Sequence, residues 1–266
     1  LARIKDEIRM LNLVGKHDHI VEMQDCFSDG AETYLCLGLA EKGDLHTVIK
    51  KEGRLSEAQA AKYFTQVLSA VVHLHSHEPC IAHRDIKLEN VVITRQNVAK
   101  LCDFGHAVQL YPGETSMQCS GTPGYTPPEM LRRVPHDQAV DSWALGVLLF
   151  ELLSGRLPFG LRNDDAVQQR RLEWPDTMSA DARELIDRLL TVDPRERITP
   201  EAAANHPWVR RMAGAQYPSR LSMTKTAVSN PGPEIWSATC GVVMAPERPE
   251  DLKSMRVTTR RRRICW

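Results

Sequence analysis

The fold is decided by residues 83–90, which read His-Arg-Asp-Ile-Lys-Leu-Glu-Asn, together with Asp-Phe-Gly at residues 103–105. Two short strand-forming runs lie between these motifs, at residues 91–93 and 98–101, and the residues that separate the runs are polar. This pattern predicts a β-hairpin. A hairpin would bring the ends of both motifs together, so the two motifs are expected to form a single site.

The motifs contain three oxygen-bearing side chains of interest, Asp85, Asn90 and Asp103. Phosphoryl transfer requires a carboxylate that orients the attacking hydroxyl, and oxygen ligands that hold magnesium against the phosphates. Either motif alone is more often an ordinary polar loop or turn. Their order and spacing in one chain favour the catalytic interpretation.

The two motifs together resemble the catalytic loop and the Asp-Phe-Gly motif of eukaryotic protein kinases, over about residues 1–208. The resemblance implies an α+β, protein-kinase-like fold that uses ATP and Mg²⁺. By this likeness Asp85 is the catalytic base, while Asn90 and Asp103 bind the metal. Lys87, two residues after Asp85, is similar to the lysine that contacts the transferring phosphate in serine/threonine kinases, so the implied acceptors are protein hydroxyls.

The same likeness divides the chain into a partial N-lobe at residues 1–37, a hinge at 38–41 and a mainly helical C-lobe at 42–208. Residues 209–266 contain several prolines and end near a run of four arginines, which predicts a flexible extension. The region before the extension loosely resembles the calcium/calmodulin-dependent and Aurora-like groups.

Further roles follow from the resemblance. Residues expected to line the nucleotide pocket are Leu37, Gly38, Leu39, Ala40, Val92 and Cys102. Residues expected to stack or anchor the interior are Leu11, Met23, His83, Phe104 and Asp141. Cys102 is interpreted as a buried, inert thiol rather than a reactive one, and His83 as a packing residue rather than a general base.

Regulation is expected from the helix that carries Glu7, from Phe104 and Gly105, and from Arg84, which could bind a phosphate in the activation segment, residues 105–127. Gln118 stands where many relatives carry a phosphorylated threonine. The neighbouring candidates for modification are Thr115, Ser116 and Ser120. Two alternatives stay open: an acid such as Glu114 takes the role of the phosphate, or the segment is ordered without one.

Substrate preference is predicted from charge. Asp44, Glu89 and Glu151 fall where basophilic kinases place carboxylates that receive arginines upstream of the acceptor. Thr122 lies in a segment similar to the substrate-facing loop of serine/threonine kinases. The alternative is that the three acids are ordinary surface residues.

The second half of the chain contains structural signals. Glu129 stands where kinases carry the last residue of Ala-Pro-Glu, and Arg197 matches its ion-pair partner. Residues 141–155 predict a buried helix that ends at Gly155. Ser56 and Gln59 form a capping-box pattern at the start of another apolar-faced helix. Strands are expected at residues 20–21 and 34–37 around a turn at 28–30.

The start of the chain departs from the kinase pattern, because none of its fifteen glycines forms a Gly-x-Gly pair. Lys5 cannot replace the phosphate-anchoring lysine, since residues two apart on a helix, as Lys5 and Glu7 are, do not face each other. The chain alone is therefore expected to be inactive. It is interpreted as a fragment of a serine/threonine kinase; a scaffold that has lost catalysis and, more remotely, a small-molecule kinase are the alternatives.

Composition agrees with a globular enzyme, at 42% hydrophobic and 26% charged residues in a chain of 266. Zero net charge gives no reason to expect nucleic acid or anionic lipid as the main partner. No apolar run is long enough for a membrane span. Seven cysteines without a Cys-x-x-Cys pair favour reduced thiols, and the expected location is cytoplasmic, with a nuclear alternative suggested by the terminal arginines.

Overall fold

The computed structural model describes residues 2–28, 33–161 and 163–213 of the chain. The helices in this part are α1 (Ala2–Val14), α2 (Leu45–Glu52), α3 (Glu57–His75), α4 (Pro128–Leu131), α5 (Ala139–Ser154), α6 (Asp164–Gln169), α7 (Ala180–Leu189), α8 (Pro200–Ala204) and α9 (Pro207–Ala213). The strands are β1 (Met23–Ser28), β2 (Thr33–Leu37), β3 (Cys80–Ala82), β4 (Val91–Ile93), β5 (Ala99–Leu101) and β6 (Val108–Leu110).

Two antiparallel strand pairs flank the two sequence motifs. β4 pairs with β5, as the polar turn between the two runs predicted, and β3 pairs with β6. β4 begins directly after the 3₁₀ turn Leu88–Asn90, and β5 ends one residue before Cys102. The hairpin therefore places the ends of both motifs next to each other, and the backbone N–H of Cys102 donates to the carbonyl of Asn90 at 2.9 Å.

The main hydrophobic core is built around α3 and α5, which pack against each other. The N-terminus of α3 has the predicted capping box, with Ser56 accepting from the Gln59 N–H while the Gln59 side chain accepts from the Ser56 N–H. α5 is buried along nearly all its length, since only the side chains at its ends reach solvent. It ends at Gly155 with a φ of 75°, as predicted from the sequence.

Helix α7 approaches α5 closely at Gly146. A Cβ atom at this position would lie 2.8 to 2.9 Å from side-chain atoms of Leu189 and Leu190. A larger residue would push the two helices apart, so the glycine is required by packing rather than by backbone conformation. The contact holds α7 against α5, the helix that carries Asp141.

The smaller part of the fold consists of α1 and the β1–β2 hairpin. Leu11 and Val14 of α1 are buried in the shared core, as their spacing on one helical face predicted. The prediction of a strand at residues 20–21 is wrong: Ile20 makes an isolated bridge to Leu101, and the strand that pairs with β2 begins at Met23. The predicted turn at 28–30 lies partly outside the described residues.

The last described helix, α9, continues to Ala213, beyond the predicted end of the C-lobe at residue 208. Val209 is buried in the core, with 1% of its surface exposed. The arginine run and the rest of the predicted extension lie outside the described residues. Within the described ranges, no helix has the length and apolar character needed to cross a bilayer.

Candidate active site

The catalytic loop, residues 83–90, is anchored by Asp141 at the start of α5. One carboxylate oxygen of Asp141 accepts from the backbone N–H of His83 at 2.8 Å, and the other accepts from the N–H of Arg84 at 2.8 Å. Arg84 adopts a left-handed conformation with a φ of 63°, which is unfavourable for a side chain of this size. The two hydrogen bonds from α5 stabilise this conformation and so fix where the next residue, Asp85, begins.

Asp85 is almost fully buried and is contacted by three side chains. Lys87 Nζ lies 2.7 Å from one carboxylate oxygen, Asn90 Nδ2 donates to the same oxygen at 2.9 Å, and the Thr122 hydroxyl donates to the other at 2.8 Å. Lys87 Nζ also donates to the Thr122 hydroxyl at 2.7 Å. The structure thus brings together a carboxylate, an ammonium group and a hydroxyl from two separate segments, with the carboxylate held in one orientation.

Asn90 and Asp103 are the predicted magnesium ligands, and their chemistry fits that ion. Asn90 Nδ2 donates to both the backbone and the side chain of Asp85, which leaves its amide oxygen for another ligand. Asp103 is half-buried with a φ of 64°, and one carboxylate oxygen accepts from the Gly105 N–H at 3.2 Å. Magnesium prefers a few hard oxygen ligands supplemented by phosphate and water. These two side chains would supply such oxygens when the ion is bound.

His83 and Phe104 pack against each other in the interior. Their rings meet edge to face with centroids 4.9 Å apart, and His83 Nε2 lies 3.2 Å from the carbonyl oxygen of Cys102. Complete burial lowers the pKa of His83, which keeps the ring neutral. Leu11 and Phe104 belong to the same core, and Met23 packs against it. This geometry agrees with a packing role for His83.

The residues predicted to bind the nucleotide lie on β2, in the hinge and on the β4–β5 hairpin. The N–H of Gly38 donates to the carbonyl of Glu22 at 2.9 Å, so a hydrogen bond donated to a base would come from the N–H of Leu39 or Ala40. Leu39 is 69% exposed. Burial raises the pKa of Cys102 to about 12, with a further contribution from the Asp103 charge, which makes the thiol unreactive near neutral pH.

Two further predicted residues are Glu7, expected to have a regulatory role, and Val92, expected to line the nucleotide pocket. Glu7 is half-buried on α1, and its negative charge contributes to the raised pKa of Cys102. Val92 is half-buried on β4 and forms a β-bridge with Asp44.

The three predicted substrate-binding acids have different surroundings. Burial raises the pKa of Glu151, and the nearby negative charge of Glu89 raises it further, so these two carboxylates lie close together. Glu151 also accepts a short hydrogen bond from the Tyr125 hydroxyl. Asp44 is the N-cap of α2 and accepts from the Thr47 N–H at 2.7 Å. This capping role was not predicted, since it depends on where α2 begins.

The activation segment contacts the catalytic loop through Arg84. Sequence reasoning identified Arg84 and Ser116 but missed the role of Gln118, whose side chain accepts from Arg84 Nη2 at 3.2 Å. Glu114, considered as a substitute for a phosphate, instead accepts from the Tyr111 N–H at 2.9 Å. His75 was also missed: its Nε2 lies 2.9 Å from Asp141, a contact between α3 and α5 with no local signal in the sequence.

Three predicted modification sites differ in accessibility. Thr115 is exposed, Ser116 is half-buried, and the hydroxyl of Ser120 is buried without a hydrogen-bond partner among the described residues. Only Ser116 contacts Arg84 among these three, since its hydroxyl lies 3.2 Å from Arg84 Nη1.

Glu129 and Arg197 form a buried ion pair with two parallel hydrogen bonds, at 2.7 and 3.0 Å. The guanidinium also donates to the carbonyls of Ala139, Thr191 and Val192 and lies over the ring of Trp143, 5.1 Å from its centroid. The pair links the end of the activation segment to the loop after α7, so its role is structural.

Comparison with known proteins shows the family. The model for the protein kinase domain matches residues 2–209. The chain belongs to the protein kinase family. It is similar to serine/threonine-protein kinase PLK4 of Drosophila grimshawi, with 35% identity over 254 residues that cover 91% of this chain and 32% of the relative.

Two further relatives carry the Aurora name. Identity to Aurora/IPL1-related protein kinase 2 of Caenorhabditis elegans is 37%, covering 75% of this chain and 66% of the relative. Identity to the Aurora kinase of Dictyostelium discoideum is 34%, covering 81% of this chain and 56% of the relative. The chain thus spans between about a third and two thirds of the length of these curated relatives. The resemblance to serine/threonine kinases with an Aurora-like character is confirmed.

Proposed function

We propose that a protein carrying this chain transfers the γ-phosphate of ATP to serine or threonine hydroxyls of protein substrates. The observation that carries the proposal is the arrangement around Asp85, where Lys87, Asn90 and Thr122 hold one carboxylate in a single orientation. A fixed carboxylate can accept a hydrogen bond from an incoming hydroxyl and take its proton as the bond to phosphorus forms.

Each neighbour of Asp85 has a distinct part in this proposal. The Lys87 ammonium would stabilise the negative charge that spreads over the phosphoryl oxygens. Bound magnesium, held by Asn90 and Asp103, would neutralise the charge of the phosphates. Thr122 joins the substrate-facing segment to the catalytic carboxylate, so a peptide bound along that segment would present its hydroxyl to Asp85.

We also propose that the preferred substrates carry arginine upstream of the acceptor. Burial raises the pKa of Glu151, and the nearby negative charge of Glu89 adds to this effect. A guanidinium placed between them would relieve this repulsion and form charge-assisted hydrogen bonds. Asp44 is the weaker member of the predicted set, since one of its oxygens is already used by the α2 cap.

The 266 residues taken alone are proposed to be inactive, because they contain no Gly-x-Gly pair that could cover the phosphates. We infer that catalysis needs such a loop and a strand lysine from elsewhere in a longer polypeptide. The proposed location stays cytoplasmic, with a nuclear alternative.

The deciding experiment measures phosphate transfer to serine and threonine peptides by the full-length protein that contains this chain, beside the 266-residue chain. We expect activity in the longer protein that requires Mg²⁺, and a loss of roughly 100- to 10,000-fold in Asp85→Asn, the range for a positioned general base. Asp176→Asn, an exposed aspartate, serves as the matched control. Activity that survives Asp85→Asn would overturn the proposed mechanism.

A peptide array with the same protein tests the arginine preference. We expect Glu89→Gln to reduce the advantage of arginine-containing peptides, while Glu173→Gln, whose side chain is 90% exposed, leaves it unchanged. An array that shows no advantage of upstream arginine in the unaltered protein would remove this part of the proposal.

A nucleotide-free interaction scaffold is the second candidate function, and the missing Gly-x-Gly pair favours it. Binding of Mg²⁺·ATP to the full-length protein separates the two candidates. Saturable binding that Asp103→Asn weakens would support the enzyme, whereas no binding at millimolar ATP would support the scaffold.

A further inference from the structure

The guanidinium of Arg84 forms hydrogen bonds with three residues of the activation segment, His106, Ser116 and Gln118. Its Nε donates to the carbonyl of His106 at 2.8 Å, and its Nη1 donates to the hydroxyl of Ser116 at 3.2 Å. Gln118 is contacted twice, through its side-chain oxygen at 3.2 Å and more weakly through its backbone carbonyl at 3.5 Å. The N–H of Gln118 in turn donates to the Ser116 hydroxyl at 3.1 Å.

All of these acceptors are neutral. In the described part of the chain, no carboxylate lies within ion-pair distance of the Arg84 guanidinium, and the one hydrogen bond from Arg84 to a carboxylate, that of Asp141, uses its backbone N–H. Burial lowers the pKa of Arg84, which reflects the cost of holding its charge away from water. Hydrogen bonds to amide and hydroxyl oxygens therefore replace the water that would otherwise surround this cation.

A second attachment lies beside the first. The backbone of Ser116 exchanges two hydrogen bonds with His136, at 2.8 and 3.0 Å, and His136 is buried just before α5. Ser116 is therefore held from one side by backbone pairing and from the other by Arg84. Gln118 connects both attachments, since its N–H donates to the Ser116 hydroxyl and its side-chain oxygen accepts from Arg84.

We propose that Gln118 is a positioning residue that orders the activation segment through Arg84 without phosphorylation of that segment. Its amide oxygen occupies the place at the guanidinium where a phosphate oxygen would otherwise be needed. The ordering of the segment follows from the contacts above and does not depend on catalysis. Its consequence for the reaction rests on the proposed function: an ordered segment delivers Thr122 to Asp85.

The experiment is hydrogen exchange, read by mass spectrometry, on peptides from the activation segment of the phosphatase-treated 266-residue chain. We expect the amides of Ser116 and Gln118 to be protected to the same degree before and after phosphatase treatment. In Gln118→Ala these amides are expected to exchange roughly 3- to 10-fold faster, the loss of about one net hydrogen bond. Gln118→Glu keeps an acceptor facing Arg84 and is expected to retain the protection of the unaltered chain.

Met117→Ala is the matched control, because Met117 is the adjacent residue and is 61% exposed. A urea midpoint measured on the same samples shows whether a change is confined to the segment, and we expect all variants to share it. Protection that disappears on phosphatase treatment, or that is the same in Gln118→Ala and Met117→Ala, overturns the proposal. Exchange in Gln118→Glu as fast as in Gln118→Ala also overturns it. None of these readouts requires kinase activity, so they stand apart from the test of the proposed function.

Discussion

Replacement of Glu129 by alanine gives the sharpest test of how this fold is held together. The side chain of Arg197 has no exposed surface, and that of Glu129 has 5%. Glu129→Ala would leave the guanidinium buried without its counter-charge, which costs about 3–5 kcal/mol in comparable cases. Three backbone carbonyls and the Trp143 ring still contact the cation, so we expect a value near the lower end, about 3 kcal/mol.

The loss can be measured by urea unfolding, followed by circular dichroism, and by thermal unfolding. For a domain of about 200 residues, 1 kcal/mol shifts the melting temperature by about 2–4 °C, so the expected decrease is about 6–12 °C. Glu173→Ala is the matched control, because Glu173 contacts Arg156 at 3.7 Å with both side chains largely exposed. That variant is expected to lose less than about 0.5 kcal/mol.

A double variant, Glu129→Leu with Arg197→Met, identifies the cause. If the cost in Glu129→Ala comes from an unpaired buried charge, removing both charges destabilises the protein less than removing one. A Glu129→Ala protein as stable as the unaltered chain would refute the reasoning. A double variant less stable than Glu129→Ala would show that lost contacts, rather than the charge, set the cost.

Two further changes test backbone and pH effects. Gly155→Ala is expected to lower the free energy of unfolding in urea by several kcal/mol, because the added Cβ would lie 2.0 Å from the carbonyl oxygen of Gly53. Gly113 has a similar φ but open space around it, so Gly113→Ala is expected to lower the free energy of unfolding by about 1–2 kcal/mol. Burial and the neighbouring His73 lower the pKa of His17 from 6.5 to about 4. Between these two pH values the unfolded chain binds a proton that the folded chain does not. Stability therefore falls as the pH decreases from 6.5 to about 4. After allowance for partial solvent exposure, we expect the free energy of unfolding to fall by about 1–2 kcal/mol over this pH range. The free energy of unfolding should depend less steeply on pH in His17→Asn than in the unaltered chain, and equal slopes in the two proteins would contradict the prediction.

The parts of the fold that sequence reasoning predicted correctly are those with a local physical signal. Ser56 and Gln59 satisfy each other across one helical turn, and Gly155 supplies the left-handed residue that ends α5. The hairpin after Asn90 follows from two strand-forming runs and a polar turn. Each of these signals lies within a few residues of the element that it defines.

The errors and omissions have non-local causes. Ile20 and Val21 have a strong strand propensity, but the bond from Val21 N–H to the Leu101 carbonyl draws them to the β4–β5 hairpin instead of β2. Gln118 meets Arg84 across 34 positions of the chain, and His75 meets Asp141 across 66. No periodicity or spacing reports such contacts. The kinase likeness predicted a ligand for Arg84, but only the folded arrangement shows which residue fills that place.

Asp141 shows why the catalytic loop depends on the helices beneath it. Its carboxylate has no exposed surface, and burial alone would raise its pKa and favour the neutral form. The contact with His75 and the N–H of Arg84 together lower the pKa instead, so the ionised form is kept. An ionised carboxylate offers acceptors to both backbone N–H groups at once, and these two bonds hold Arg84 in its left-handed conformation. The position of the backbone that leads to Asp85 therefore depends on a charge on α5, and the contact of this charge with His75 requires α3 and α5 to be packed together.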